Sequence, residues 1–398
     1  MPAASILIKP TSANCNMNCS YCFYKCLSSN REQYSKGFMS EETLEELVRQ
    51  AIAYADGSLT FAFQGGEPTL AGINFYKKAL ELQKKYNTKH LYIENTIQTN
   101  GLLIDDAWAK FLAENHFLVG LSLDGPRKLH DCYRKDTEGN GTFERLMETV
   151  NLFVRYHVDY NVVSVITNET AKKASFLYKF WKRNGFPFIQ FIPCMDEEHR
   201  RTPDAEKSRF AVEPVQYGRF LCEIFDLWYA DFKQGTAMDI RMFSNLAQMA
   251  AGFQAEECGM NGCCNCYFAV EGDGSVYPCD FYCTDEWKLG TVADGFAFLF
   301  ASDKSKEFML TSHYVAEKCK ICPYFTLCRG GCRRWRESLL NEKLSVNKLC
   351  PAYELFFAHA GGQIAELGVF LRQKFSKGLD KQPIERNNTY KHIKTVCK

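Results

Sequence analysis

Long hydrophobic runs are absent from this 398-residue chain; no window approaches the roughly 18 apolar residues of a membrane span. No secretory leader is evident either. Met1 to Pro10 holds one short apolar run, Ile6-Leu7-Ile8, followed by Lys9 and Pro10, which is too brief for the core of a signal peptide. Charge of one sign is not in excess: the formal net charge is +1, which leaves no electrostatic footprint for nucleic acid or a membrane surface. No internal repeat of fixed period appears. Together these absences point to a cytoplasmic, globular protein with no nucleic acid and no membrane as partner. The basic stretch from Lys374 to Lys398 is the local exception and reads as a solvated tail.

What is abundant is cysteine, with 19 residues. In a small secreted protein such a count would signal a disulfide framework. Here the chain is long, lacks an export signal and carries an odd number. Cysteines at short spacings in a reducing compartment point to metal or cluster ligation.

The first half alternates strand-like and helix-like segments. Strands are expected at Ser5–Lys9, Leu59–Gln64, Leu91–Gln98, Leu118–Leu123, Tyr160–Ile166 and Phe188–Ile192. Between them, helical spacing marks Glu41–Ala55, Asn74–Tyr86, Asp105–Asn115, Thr142–Tyr156 and Ala171–Asn184. Ser40 and Thr43 are capping candidates for the first of these helices. Regular β-α alternation implies an α/β fold with a parallel sheet and right-handed crossovers. An open doubly wound sheet and a partial barrel both satisfy the pattern. Either one gathers functional groups at the C-terminal ends of the strands. The cysteine loop after the first strand, Gly65-Gly66 after the second and Ser122-Leu123-Asp124 after the fourth all fall there. From about Gly235 the alternation stops and cysteine density rises. A hairpin signal spans Phe268 to Tyr277 around Gly272-Asp273-Gly274. The expected divisions are 1–234, 235–375 and a basic tail 376–398.

Cys15, Cys19 and Cys22 place three thiolates within eight residues. Thiolates suit iron–sulfur clusters and zinc. Structural sites mostly use four protein ligands, so three leave a position open for a cofactor or substrate. A zinc site completed by Cys26 or a distant His is the alternative on spacing alone.

Cys-x3-Cys-x2-Cys in a loop after the first strand resembles the radical S-adenosylmethionine (SAM) superfamily. The resemblance implies a partial (β/α)6 barrel in which Cys15, Cys19 and Cys22 hold a [4Fe–4S] cluster and the fourth iron binds SAM. Reduction then yields a 5′-deoxyadenosyl radical. It also implies SAM contacts at Gly66, in Gln64-Gly65-Gly66-Glu67-Pro68, and at Ser122. Read from the residues themselves, Tyr21 beside the last ligand can shield the cluster or stack on a base, Arg134 is a partner for the SAM carboxylate or a solvated surface charge, and Met195 packs on adenine or fills the core. Gln98-Thr99-Asn100-Gly101 is expected to line the same cavity. An acidic Glu67 suits the SAM ammonium group.

The second constellation, Cys319-x2-Cys322-x5-Cys328-x3-Cys332 with Cys350, together with Cys258, Cys263, Cys264, Cys266 and Cys279, resembles the SPASM extension of that superfamily. The resemblance implies a cysteine-rich domain with a small hairpin and helices, carrying two further [4Fe–4S] clusters and so three in all. One would take Cys258, Cys264, Cys279 and Cys332, and the other Cys319, Cys322, Cys328 and Cys350. Cys263, Cys264 and Cys266 compete for one place. Structural zinc serves the same spacings.

Longer segments resemble the anaerobic sulfatase-maturating enzymes: Cys-Asn-Met-Asn-Cys-Ser-Tyr-Cys-Phe-Tyr (15–24), Phe-Gln-Gly-Gly-Glu-Pro-Thr-Leu-Ala-Gly (63–72), Val-Gly-Leu-Ser-Leu-Asp-Gly-Pro (119–126) and Asp-Gly-Ser-Val-Tyr-Pro-Cys-Asp-Phe-Tyr (273–282). That resemblance implies oxidation of a Cys or Ser side chain in an unfolded or nascent sulfatase to Cα-formylglycine, with a low-potential donor such as flavodoxin or ferredoxin. Abstraction of a Cβ hydrogen would leave a thiol or hydroxyl proton for a base. Asp280, next to Cys279, is the expected base, and Tyr24 is expected either to hydrogen-bond the substrate or to serve in packing. Another SPASM peptide-modifying maturase, such as a thioether-forming enzyme, is the nearest enzymatic alternative. A zinc-stapled binding module is the non-catalytic one.

Overall fold

Apolar strand segments followed by amphipathic helices fold as such in the computed structural model of the protein, which describes residues 4–194, 210–337 and 344–376. Met195 and the tail beyond residue 376 lie outside the described residues. The strands are β1 (Ala4–Ile8), β2 (Ser58–Phe63), β3 (Tyr92–Thr99), β4 (Leu118–Ser122), β5 (Tyr160–Ile166), β6 (Phe188–Pro193), β7 (Asp239–Ile240), β8 (Ala269–Val270), β9 (Ser275–Tyr277) and β10 (Gly290–Thr291). The first six match the expected strands to within a residue at each end. Two compact units result, one from residues 4–161 and 265–311, the other from 162–194, 210–264, 312–337 and 344–376.

In the first unit the strand order is β10-β9-β8-β1-β2-β3-β4. Strands β1 to β4 are parallel, with Ile8 opposite Phe63, Phe63 opposite Ile97 and Thr99 opposite Leu121. This register brings the C-terminal ends of four strands to one edge, where loops 9–22, 64–67 and 100–104 and residues 123–126 emerge. Helix Glu41–Tyr54 is N-capped by Ser40, whose hydroxyl accepts from the Thr43 amide at 3.1 Å. Its Leu44, Leu47, Val48, Ala51 and Ile52 are all buried, each larger side chain contributing about 1.5–3 kcal/mol. The expected hairpin forms as β8–β9 around Glu271 to Gly274, with Gly274 at φ +80° where a Cβ would strain the turn. β8 also pairs in parallel with β1, Leu7 opposite Ala269 and Ile8 opposite Val270. The hairpin of the cysteine-rich segment therefore extends the sheet of the first strand.

In the second unit β5, β6 and β7 are parallel neighbours. Helices Pro214–Lys233, Arg241–Ala250 and Cys350–Ser376 pack through an aromatic core. Phe243 lies 5.1 Å from Phe225, 5.3 Å from Trp228 and 5.9 Å from Phe356, ring centre to ring centre. Small residues let these helices approach. A Cβ on Gly218 would meet the Ala352 backbone at 3.0 Å, and one on Gly368 would meet Ala250 at 2.6 Å. The long helix is thereby held so that its first residue, Cys350, has a fixed place. Among the described residues no helix is long and apolar enough to cross a membrane.

Candidate functional site

The loop after β1 carries Cys15, Cys19 and Cys22, and helix Phe23–Ser29 starts directly after them. Its path is set by backbone pairing with the segment that carries Arg134. The Asn18 amide donates to the Lys135 carbonyl at 2.8 Å, and the Ser20 amide to the Tyr133 carbonyl at 3.0 Å. The three thiols share one environment. Burial pushes Cys15 up to about 12, and Glu67, Cys19 and Cys22 add to it. Burial likewise lifts Cys19 to about 11, opposed by the Arg134 guanidinium. Cys15 and Cys19, which resist ionisation alone, are grouped with Cys22 and with an amide aimed at one sulfur, a setting that suits a bound iron cluster, which stabilises thiolates directly. That amide is Asn100 Nδ2, 3.9 Å from Cys15 Sγ and 2.8 Å from Asn16 Oδ1. No disulfide links any two of the described cysteines.

Tyr21 and Arg134 are brought together by Asp124, which is wholly buried. Arg134 Nε lies 3.0 Å from Asp124 Oδ2, and the Tyr21 hydroxyl donates to the same oxygen. The guanidinium also lies over the Tyr21 ring, 5.5 Å from its centre. Behind Asp124, His130 Nδ1 accepts from its amide at 3.4 Å, and Nε2 meets Thr142 Oγ1 at 3.0 Å. Burial holds His130 neutral, with its pKa lowered to about 4. Ser122 accepts from Gln98 Nε2 at 3.0 Å at the ends of β4 and β3.

The Gly-Gly-Glu segment packs closely against the protein's own chain. Gly66, at φ +54°, gives way to the cysteine loop itself, since a Cβ there would run into the Asn14 and Ser12 carbonyls. Gly65 gives way to Lys9, whose Cγ would lie 2.6 Å from an added Cβ. The Glu67 carboxylate is not turned toward a ligand ammonium. It accepts from Thr69 N and Oγ1, from Thr99 Oγ1 at 2.7 Å and from the Asn100 amide at 2.7 Å. Three of these donors share Oε1 and the Asn100 amide holds Oε2, so the carboxylate braces β2 against β3 and fixes Asn100.

Asp280 follows Cys279 after β9 and is 4% exposed. Its Oδ1 lies 2.9 Å from Lys9 Nζ. Its Oδ2 accepts from the Tyr24 hydroxyl at 2.7 Å and Gln64 Nε2 at 3.2 Å, and Gln64 also reaches the Tyr24 oxygen at 2.6 Å. Tyr267 joins this group to the neighbouring thiol. Its hydroxyl lies 3.2 Å from Cys279 Sγ and accepts from the Asp280 amide at 3.1 Å. Burial raises the pKa of Tyr24 and Tyr267 well above the usual phenol value, so both remain protonated donors.

In the second unit Cys319, Cys322, Cys328 and Cys350 come close enough to perturb one another. Burial lifts Cys328 to about 11, with Cys350, Cys319 and Cys322 adding to it. Arg329, Gly330 and Gly331 take positive φ in succession, which turns the chain between Cys328 and Cys332. Asn347 fastens this turn to the start of the last helix, donating to the Gly330 carbonyl at 3.1 Å and accepting from the Leu349 amide at 2.7 Å. Cys258, Cys264 and Cys332 form a second neighbourhood. Burial pushes Cys264 to about 12, Cys332 and Cys258 reinforce it, and Arg333 and Arg336 oppose it. The Cys264 amide donates to Ser312 Oγ at 2.8 Å. Cys263 is also near Cys258, whereas Cys266 belongs to the first unit, with its sulfur 3.8 Å from Ser305 Oγ. Cys279 also belongs to the first unit. Beside Cys328 lies a small cleft lined by Gly259, Met260, Gly331, Tyr353 and Phe357. Both donor sets have the thiol chemistry that iron–sulfur clusters take, although among the described residues no three such side chains are already gathered as a metal-holding group.

Residues 10–178 match the model of the radical SAM superfamily. Over 361 residues the chain is 47% identical to a cysteine-type anaerobic sulfatase-maturating enzyme of Clostridium perfringens, covering 90% of this chain and 97% of that protein. The chain belongs to the anaerobic sulfatase-maturating enzymes of the radical SAM superfamily. A serine-type relative from Bacteroides thetaiotaomicron is 32% identical, covering 89% of this chain and 88% of its own. A solved structure described as native anSMEcpe with bound AdoMet and Cp18Cys peptide superposes with a TM-score of 0.88 at 44% identity, over 93% of this chain and all of that one.

Within this sulfatase-maturating enzyme, sequence reasoning passed over Lys9 and Tyr267, and placed Asp124 at the end of the fourth strand without giving it a role. Lys9 and Asp124 carried a signal, since each is a charged residue at the end of an apolar strand. Tyr267 carried none, because its partners are remote in sequence or lie across a turn.

Proposed function

We propose that the protein oxidises a cysteine side chain of a sulfatase polypeptide to Cα-formylglycine. The observation that carries this reading is Asp280, a buried carboxylate that accepts hydrogen bonds from Tyr24 and Gln64 and lies at ion-pair distance from Lys9, in the same unit as the three-thiol loop. Identity to the cysteine-type relative exceeds that to the serine-type one, which favours cysteine as the target.

Cys15, Cys19 and Cys22 would hold the first [4Fe–4S] cluster. Tyr21, Gly66, Ser122, Arg134 and Met195 would contact S-adenosylmethionine. Asp124 engages Arg134 Nε, so the ligand-facing role falls to the terminal guanidinium nitrogens. Cys258, Cys264, Cys279 and Cys332 would hold one auxiliary cluster, and Cys319, Cys322, Cys328 and Cys350 the other. When bound, these groups supply a 5′-deoxyadenosyl radical that takes a hydrogen atom from the substrate Cβ, and an acceptor for the electron that leaves afterwards. The protein's own part is to orient the side chain and move one proton. Tyr24 and Gln64 hold Asp280 Oδ2, the oxygen that would accept the thiol proton as C=S forms. Water then replaces sulfur in the thioaldehyde, releasing hydrogen sulfide and leaving the aldehyde.

Segments 1–234 and 235–375 are read as the radical-generating part and the auxiliary-cluster part. The reductant is read as a low-potential donor such as flavodoxin or ferredoxin, and the setting as cytoplasmic. The near-neutral charge supports a polypeptide partner without nucleic acid or membrane. An anaerobic assay with S-adenosylmethionine, reductant and a peptide carrying the sulfatase cysteine tests the reading. Formylglycine in the mass spectrum is expected; 5′-deoxyadenosine without any change in the peptide would refute it.

A further inference from the structure

Lys9 is a buried cation that no step of the proposed reaction uses. It follows β1, is 1% exposed, and runs its stem across Gly65. Its ammonium lies 2.9 Å from Asp280 Oδ1, 3.4 Å from Glu271 Oε1 and 4.7 Å from the centre of the Tyr24 ring. Glu271, in the hairpin turn, is 1% exposed and is shared with Arg31 Nη1 at 2.8 Å. Arg31, Glu271, Lys9 and Asp280 thus form a buried row of alternating charge with no net charge.

Such a row is costly to desolvate, and a hydrophobic filling would serve stability as well or better. Its geometry has another consequence. Lys9 takes one oxygen of Asp280 and leaves the other to Tyr24 and Gln64. We propose that Lys9 is a positioning residue: it clamps Asp280 Oδ1 so that Oδ2 is held toward Tyr24 and Gln64, where the substrate proton is received, and Glu271 with Arg31 holds Lys9 in turn. This rests on the formylglycine reading and deepens it.

Without the clamp the carboxylate can rotate about its Cβ–Cγ bond and share its oxygens differently between Tyr24 and Gln64. Radical generation uses other residues and is unaffected. Misplacing a reacting group by about 1 Å costs on the order of 100-fold in rate. The signature is therefore uncoupling: S-adenosylmethionine is cleaved, but formylglycine falls relative to 5′-deoxyadenosine. A merely structural lysine would depress both together.

The test uses the reconstituted full chain, anaerobically, with a peptide carrying the sulfatase cysteine. Wild type must first make formylglycine; if it does not, the functional reading fails before Lys9 is examined. Given that product, Lys9→Met is expected to keep 5′-deoxyadenosine formation within about threefold and to lose about 100-fold in formylglycine. Lys9→Arg, which restores the charge, is expected to recover about tenfold of that loss. A product-to-deoxyadenosine ratio equal to wild type in Lys9→Met overturns the proposal, and so does equal loss of both products. If Lys9→Met fails to retain iron, Glu271→Gln takes its place. It leaves Lys9 with Asp280 but removes its second anchor, and about a threefold to tenfold fall in the ratio is expected. An unchanged ratio there overturns the proposal.

Discussion

The two cysteine-rich regions are built from the same ligand but surrounded differently. Around Cys15, Cys19 and Cys22 the protein supplies polar reach: the Asn100 amide, the Asp124–Arg134 pair and, in the same unit, Asp280 with Lys9, Tyr24 and Gln64. Around Cys319, Cys322, Cys328 and Cys350 it supplies turns and anchors: the positive-φ run Arg329 to Gly331, the Asn347 clasp and the packed helix behind Cys350. Three thiols with polar neighbours suit a site that exchanges ligands. Four thiols on fastened turns suit a site that keeps its geometry while an electron passes. A region meant for chemistry leaves a position open and aims donors and acceptors at it, whereas one meant for storage closes its shell.

The sharpest way to break this comparison is to remove one thiol from each region. Cys19→Ala is expected to abolish 5′-deoxyadenosine and formylglycine together. Cys322→Ala is expected to keep 5′-deoxyadenosine and lose most formylglycine. Each should drop the iron from about twelve to about eight per chain. Loss of deoxyadenosine in both variants would erase the distinction.

Next in size is Asp280→Asn, which removes the acceptor but keeps the shape. Formylglycine is expected to fall about 10³-fold, within the range for a lost general base, while S-adenosylmethionine cleavage persists. Chromatography of both products from one reaction checks it.

Asp124→Asn should act on the first region only. With the charge behind Arg134 and Tyr21 gone, the affinity for S-adenosylmethionine is expected to fall about tenfold, with unchanged spectra from the second region's clusters. Equilibrium binding under anaerobic conditions measures it.

The smallest effect concerns stability. His130 has a pKa near 4 in the folded protein against 6.5 for an ordinary histidine. The unfolded chain therefore binds the proton more readily. Stability is full above about pH 6.5 and declines as the pH falls toward 4, by roughly 3 kcal/mol from this group. Denaturant titrations at pH 7 and pH 5 should show the decline, and His130→Gln should flatten it.

Much of this was readable in the chain itself. Apolar runs of strand length alternating with helical stripes located β1 to β6, because burial imposes periods of 2 and 3.6 on local sequence. The spacing of Cys15, Cys19 and Cys22 marked a ligand loop at the end of β1. Glu67 was misread, because an acidic residue after Gly-Gly says nothing about which way its carboxylate turns. That was decided by Thr69, Thr99 and Asn100, two of them more than thirty residues away.

By itself the sequence determined the alternation of elements and the cysteine spacings, since each depends on residues close along the chain. Only the tertiary structure decided that β8 would lie beside β1, and with it that Lys9 would meet Asp280 across 271 residues of sequence. A buried ion pair has no local period. Its partners are chosen by which strand edges pair, and that choice is made by the whole sheet.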